Sequence, residues 1–329
     1  MKMRSAAGFA LRRHTLNVQA VKMAIQRRTA IAAAISIAVA IVLILWKPTV
    51  LIYGLQAAGF YAAIAIPMGL VLGIVHIVNL SHGEFMMLAS YATYFACKAL
   101  GMDPLLAIIP TAIVTAIFGW VVFQLTIRRA LKAPELNQLI MTYGLAIAFS
   151  QGINLIFSTK TYKMPLDYVT SSMTIGDLSF GTWSFVFVGV SLVFMFGLQF
   201  FLTKTTTGKA AMAVGQNPKG AAIVGINVYR TYGIVFALAL ALVGAMGALF
   251  LTKSAIFPSV GSPFTMKSFC LIAMAGVGNI PGILSASVLL GVTEQFLRAF
   301  RGTRDWAEIV FFILIIGVIL ARSYKGRKA

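Results

Sequence analysis

Ionisable side chains are scarce in this 329-residue chain, which has eight Asp and Glu in all. The few that sit among apolar residues are therefore the place to look for chemistry. Polarity rises from Gly73 to Glu84 while the flanks stay apolar, and the segment holds His76, Asn79, Ser81, His82 and Glu84. A histidine and a carboxylate two residues apart, with an amide and a hydroxyl beside them, could pass a proton or line a polar path. Burying such groups costs several kcal/mol, so ionisable residues at membrane depth are functional candidates by default. A structural reading stands beside this one. His82 and Glu84 could tie off backbone groups at a break, and a Glu near a helix N-terminus is favoured by the dipole. Glu294 has Arg298 one helical turn on, which suits an ion pair. No Ser, Cys or metal site completes a catalytic set around His82 and Glu84. His76 and His82 have no further ligand nearby, so no metal is expected. The string Thr203–Lys209 lacks the leading glycine of a phosphate loop and runs on into Ala210, so no nucleotide or other cofactor is expected on this chain.

The elements that must position these residues follow from composition. The chain is 60% hydrophobic and 11% charged, where a soluble domain carries about 25% charged residues. Its apolar residues fall in long runs, which predicts an all-α polytopic membrane protein with about 8–10 transmembrane helices, broken or re-entrant ones included. The net charge of +19 arises from bases clustered at the ends and between apolar runs, without aromatic interleaving. That pattern orients a membrane protein and gives no reason to expect nucleic acid. Cys97 and Cys270 lie in apolar runs and read as small core residues.

Residues 1–28 form a basic cytoplasmic segment with seven Lys and Arg, either an amphipathic helix on the inner leaflet or a solvated tail. A single transmembrane domain is expected over 29–322. Its predicted spans are Thr29–Trp46, Val50–Leu72 (with Gly69 and Gly73 spaced for close helix contact), Phe85–Leu100, Leu105–Ile127, Gln138–Phe157, Thr182–Leu202, Tyr229–Lys253 and Trp306–Leu320. Residues 158–181 should form the main external loop, with room for a hairpin. Ala237, Ala241 and Ala245 suggest a packing stripe. The prolines of Ile256–Pro263 make a break, and Phe264–Val277 is short enough for a half helix. Arg298, Arg301 and Arg304 fit the inside bias poorly. The basic tail, 323–329, places the C-terminus inside, as the basic start does the N-terminus.

Residues 203–227 are the longest internal polar stretch, basic and therefore cytoplasmic. Asn217 suits an N-cap, Pro218 the first helical position and Gly225 the residue past a helix end, framing a short helix over Pro218–Val224. Its Ala221, Ala222, Ile223 and Val224 have no membrane to bury them, so it docks either on its own chain or on another subunit. Asn79–Gly83 and Asn279–Gly282 hold similar places in the two halves. Paired breaks suggest an internal repeat with a path at its interface, lined by Asn79, Ser81, His82, Glu84 and Asn279.

Three of these stretches carry a resemblance. GQNPKGAAIVGIN resembles the cytoplasmic coupling segment of permease subunits in the branched-chain amino acid ABC importer family, which includes urea and amide carriers. Asn79–Tyr91 (NLSHGEFMMLASY) and Gly276–Gly282 (GVGNIPG) resemble two further signatures of that family, in the same order. The resemblance covers roughly residues 50–322. The first 48 residues lie outside it, and Arg322–Arg327 stands where the family has a Pro-containing tail. What the resemblance implies is a permease in the bacterial cytoplasmic membrane, working by alternating access. Gln216, Asn217, Pro218, Ala221, Ala222 and Gly225 would couple it to ATPases. Its partners would be a second permease, two ATPase subunits that bind the ATP, and an extracytoplasmic solute-binding protein. The solute would be small and polar, such as a branched-chain amino acid. The alternative is an ion-coupled secondary transporter using Glu84 and Glu294, which leaves the docking helix unexplained.

Overall fold

The computed structural model describes residues 48–300 except 177, together with 302, 306, 309, 312, 313 and 316. The basic segment 1–28, the run Thr29–Trp46, Arg301, Arg304 and the tail lie outside the described residues. Trp306–Leu320 is described at five positions only.

Helices dominate: α1 (Pro48–Ile74), α2 (His82–Leu100), α3 (Ile108–Ala130), α4 (Glu135–Phe157), α5 (Phe185–Lys204), α6 (Thr206–Gln216), α7 (Pro218–Ile223), α8 (Val228–Lys253), α9 (Ser262–Ala275) and α10 (Ile280–Arg298). Six of them, α1, α3, α4, α5, α8 and α10, are long and apolar enough to cross a membrane. Lipid offers the backbone no hydrogen bonds, so each span must satisfy its own N–H and C=O groups as a helix. The 14 residues of α9 reach only about 21 Å at 1.5 Å per residue, short of the roughly 30 Å hydrocarbon core.

Two spans form the centre. The most apolar windows of α1 and α8 are 78% and 72% buried, against 17–28% for α3, α4 and α5. The outer helices show Ile113, Ile117, Ile140, Leu155, Val193 and Phe196 on exposed faces, as lipid-facing surfaces do. Lipid tails are as apolar as leucine, so helices associate by close approach, and glycine permits the closest. A Cβ on Gly244 of α8 would meet Thr115 of α3, one on Gly247 would meet Ala89 of α2, and one on Gly54 of α1 would meet Val292 of α10. The stripe expected on Ala237, Ala241 and Ala245 is displaced: Ala237 and Ala241 are only half-buried. The glycines face two neighbours at once and take the tight contacts instead.

The loop 158–181 holds a two-stranded hairpin, β1 (Ser172–Ile175) and β2 (Leu178–Gly181), with Ser172 opposite Gly181. It is fastened to α1 where the Gln56 amide donates to the Gly181 carbonyl at 2.8 Å. The Tyr168 hydroxyl donates to Asp103 at 2.9 Å. Burial and the adjacent carboxylate both push that phenol up. Residues 203–227 hold more helix than expected: before the short helix comes α6, eleven residues long, with the Thr205 hydroxyl accepting from Gly208 N at its N-cap.

Candidate functional site

The segment Asn79–Glu84 lies where two helices begin. After α1 the chain is irregular through 76–79, with His76 in the left-handed region at φ 58°, and α2 starts at His82. Asn79 shapes the entry, its Oδ1 accepting from Ser81 N at 3.1 Å and Ser81 Oγ at 2.7 Å. His82 Nε2 lies 2.9 Å from the Ile64 carbonyl of α1. Ile64 is ten residues from the Ile74 end of α1, about 15 Å along the axis and so near mid-depth.

The partner of this break is the second one, between α8 and α9. A Cβ on Gly83 would lie 2.7 Å from the Gly261 carbonyl carbon and from Thr265 Oγ1, so the two glycine backbones touch. Gly83 N donates to Thr265 Oγ1 at 2.7 Å, and Ser262 Oγ donates to Glu84 Oε1 at 2.7 Å. Two helix N-termini thus meet at mid-depth with one carboxylate beside both, which is the charge that two positive dipole ends favour. The stretch against Asn79–Glu84 is therefore 261–265, where the sequence comparison of halves pointed to 279–282. Asn279 is exposed and caps α10 instead, accepting from Gly282 N at 3.1 Å.

Asn79, Ser81, His82 and Glu84 are all fully buried. They close the junction of α2 and α9 in this conformation and form no open wall. Asn79 Nδ2, His82 Nδ1 and Glu84 Oε2 have no hydrogen-bond partner there. Asn279 lies in a cavity of about 300 Å³ whose lining also includes Gly69, Gly73, Gln199, Gln216 and Pro281. That cavity brings one expected path residue together with one expected coupling residue. Among the described residues no group of three His, Cys, Asp or Glu could hold a metal ion.

The short helix α7 is capped at both ends by local chemistry. Asn217 Oδ1 accepts from Gly220 N at 2.9 Å, and Pro218 takes the first turn. At the other end Ile226 N donates to the Ala221 carbonyl and Gly225 N to that of Ala222, with Gly225 at φ 87°. This is the paired closure that a left-handed glycine allows. Ala221 is buried against the chain's own core, whereas Ala222, Ile223 (86% exposed) and Val224 (74%) face away from it. Gln216, Asn217 and Pro218 are exposed beside them. Under α7, Gly215 of α6 rests on Ile74 at the end of α1.

A second charged group escaped sequence reasoning. Lys267, in the middle of α9, places Nζ 3.4 Å from Glu294 Oε2 and 3.0 Å from Tyr61 OH. The expected Arg298–Glu294 pair is present at 2.7 Å. The signal available was a lysine within an apolar run too short to span.

Two helix N-termini meeting inside a bundle of apolar spans define a polytopic α-helical membrane protein organised around a broken-helix junction. Residues 50–319 match the family described as branched-chain amino acid transport system, permease component, and the chain belongs to that family. It is 28% identical over 285 residues to the high-affinity branched-chain amino acid transport system permease protein BraD of Pseudomonas aeruginosa, covering 83% of this chain and 92% of that one. It is 27% identical to the permease protein LivH of the corresponding Escherichia coli system, over 81% and 91% of the two chains. A shorter likeness, 26% over 45% of this chain and 47% of the other, links it to the L-arabinose transport system permease protein AraH of Escherichia coli. No solved structure matches.

Proposed function

We propose that this chain is the membrane-embedded permease subunit of an ATP-driven importer for small polar solutes, branched-chain or related amino acids first among them. It acts in the bacterial cytoplasmic membrane, with both termini inside. It works with a second permease, two ATPase subunits that carry the ATP, and an extracytoplasmic solute-binding protein; the chain itself binds no cofactor. The observation that carries this reading is α7, a helix capped at both ends that turns Ile223 and Val224 to solvent between two spans. Exposed aliphatic side chains on a rigid helix are what a groove in another protein takes up.

The path of coupling follows from contacts. Force on α7 passes to α6, whose Gly215 bears on Ile74. That residue ends α1, and α1 supplies the Ile64 carbonyl that meets His82. Tilting α1 would thus work on the junction of α2 and α9 and switch access between the two sides, with Asn79, Ser81, His82, Glu84 and Asn279 along the route. Secondary transport through Glu84 and Glu294 is not favoured, because Glu294 is held by Lys267 and Arg298 together and that reading gives α7 nothing to do.

Ile223→Asp tests the proposal. The side chain is exposed, so the membrane fold should persist, while ATPase co-purification and ATP-driven uptake fall by about tenfold or more on putting a charge in an apolar groove. A fully assembled, active complex from that variant would overturn the docking assignment.

A further inference from the structure

The group around Glu294 carries more positive charge than it neutralises. Glu294 Oε1 accepts from Arg298 Nε at 3.0 Å and Nη2 at 2.7 Å, and its Oε2 accepts from Tyr61 OH at 2.6 Å and faces Lys267 at 3.4 Å. Both carboxylate oxygens are thus occupied, and among the described residues the cluster holds two cations and one anion. Lys267 also stands 4.6 Å over the Tyr61 ring, which steadies a cation without cancelling its charge. Tyr61 lies 13 residues from the Ile74 end of α1, about 20 Å along it and so within the roughly 30 Å hydrocarbon core. Excess charge at that depth is costly unless a counter-charge reaches it.

A second observation shows an approach to the site. The N-terminal turn of α9 leaves Ser262, Pro263 and Met266 exposed. A broken backbone at membrane depth persists only against protein or water. Lys267 follows Met266 directly and is 17% exposed, and Arg298 is 40% exposed while Glu294 is 6%. The two cations are therefore the reachable members and the carboxylate is the shielded one. Glu294 leaves Nη1 of Arg298 to another acceptor.

We propose that Lys267 and Arg298 form a carboxylate-reading station on the transport route, which receives the carboxylate of the passing solute within the membrane while Glu294 and Tyr61 hold the cations in place. This rests on the importer reading and narrows its solute class to carboxylates, amino acids in particular, at the expense of urea and simple amides. Arginine presents paired donors that match a carboxylate, and lysine adds a point charge. The site should bind weakly enough to release, because Glu294 already takes part of the field of both cations.

The test uses proteoliposomes of the whole complex, with ATP inside, the solute-binding protein outside and L-leucine as the probe. Lys267→Met should lower uptake by about tenfold or more, as expected for loss of a hydrogen bond to a charged group. ATP hydrolysis and subunit assembly should be unchanged, and Lys267→Arg should stay near wild type. Lys267→Met with Glu294→Gln removes the ion pair together. A purely structural pin would be rescued by that double change, so recovered uptake overturns the inference; sustained loss supports it. Arg298→Gln, at the exposed edge, should lower uptake severalfold even if the Lys267 variants assemble poorly, and wild-type uptake from it overturns the inference. The importer reading fails separately, in the wild-type arm: an assembled complex that imports no solute under ATP refutes that reading. Wild-type import of neutral amides with no L-leucine uptake overturns the carboxylate assignment alone.

Discussion

Gly83→Ala sets helix propensity against tertiary contact. Gly83 is the second residue of α2, and alanine in a helix interior is worth about 1 kcal/mol over glycine. Propensity alone therefore predicts a more stable protein. The structure predicts the opposite. A Cβ there lies 2.7 Å from the Gly261 carbonyl carbon and from Thr265 Oγ1, and nearer still to the carbonyl oxygen. The obstacle is backbone at the start of another helix, so no side-chain rotation relieves it. Overpacking typically costs about 1–3 kcal/mol, and the hydrogen bond from Gly83 N to Thr265 Oγ1 would be stretched as well, for roughly another 1 kcal/mol. The net expectation is a loss of about 2 kcal/mol, which should lower the melting temperature of the detergent-purified protein by roughly 4–8 °C. Gly144→Ala is the control, because a Cβ there meets nothing within 4 Å and propensity should act unopposed. Melting followed by fluorescence-detected size exclusion reads both. If Gly83→Ala is as stable as Gly144→Ala, the two breaks do not meet as described and the junction must be redrawn.

Substitutions at two further positions probe the same junction and the short helix. Glu84→Gln keeps an oxygen able to accept from Ser262, so ATP-driven uptake should remain within about threefold of wild type, whereas Glu84→Ala, which removes that acceptor and leaves a cavity at a buried position, should lose far more; complete loss in the Gln variant would show that the charge itself is needed. Asn217→Ala removes the side-chain cap of α7 and should cost about 1 kcal/mol of local stability, seen as faster amide hydrogen exchange over 218–224; unchanged exchange would mean that the partner-facing helix is held by packing on Ala221 alone.

Among the described residues, the spans α1, α3, α4, α5 and α8 and the short helix α7 were legible in the sequence because their causes are local. Where lipid forces every backbone group to pair within its own segment, hydropathy marks the helices, and Val50–Leu72 emerges as Pro48–Ile74. Asn217, Pro218 and Gly225 act on neighbours within a few residues, so their spacing alone framed the short helix. α6 was missed because its Lys209 and small residues show neither a span nor a loop pattern.

What only the tertiary structure decided has separations that no local pattern carries. Glu84 and Ser262 are 178 residues apart, and Tyr61 and Glu294 are 233 apart. Which break faces which was likewise settled by packing: Asn279 resembled Asn79 in type and setting, yet the segment that reaches Gly83 is Gly261–Thr265. Residue types thus determined that polar breaks exist in an apolar chain, since burying such groups is costly wherever they lie. Their pairing was decided by the fold, because a carboxylate or a lysine at membrane depth takes whichever partner the packed helices bring within reach.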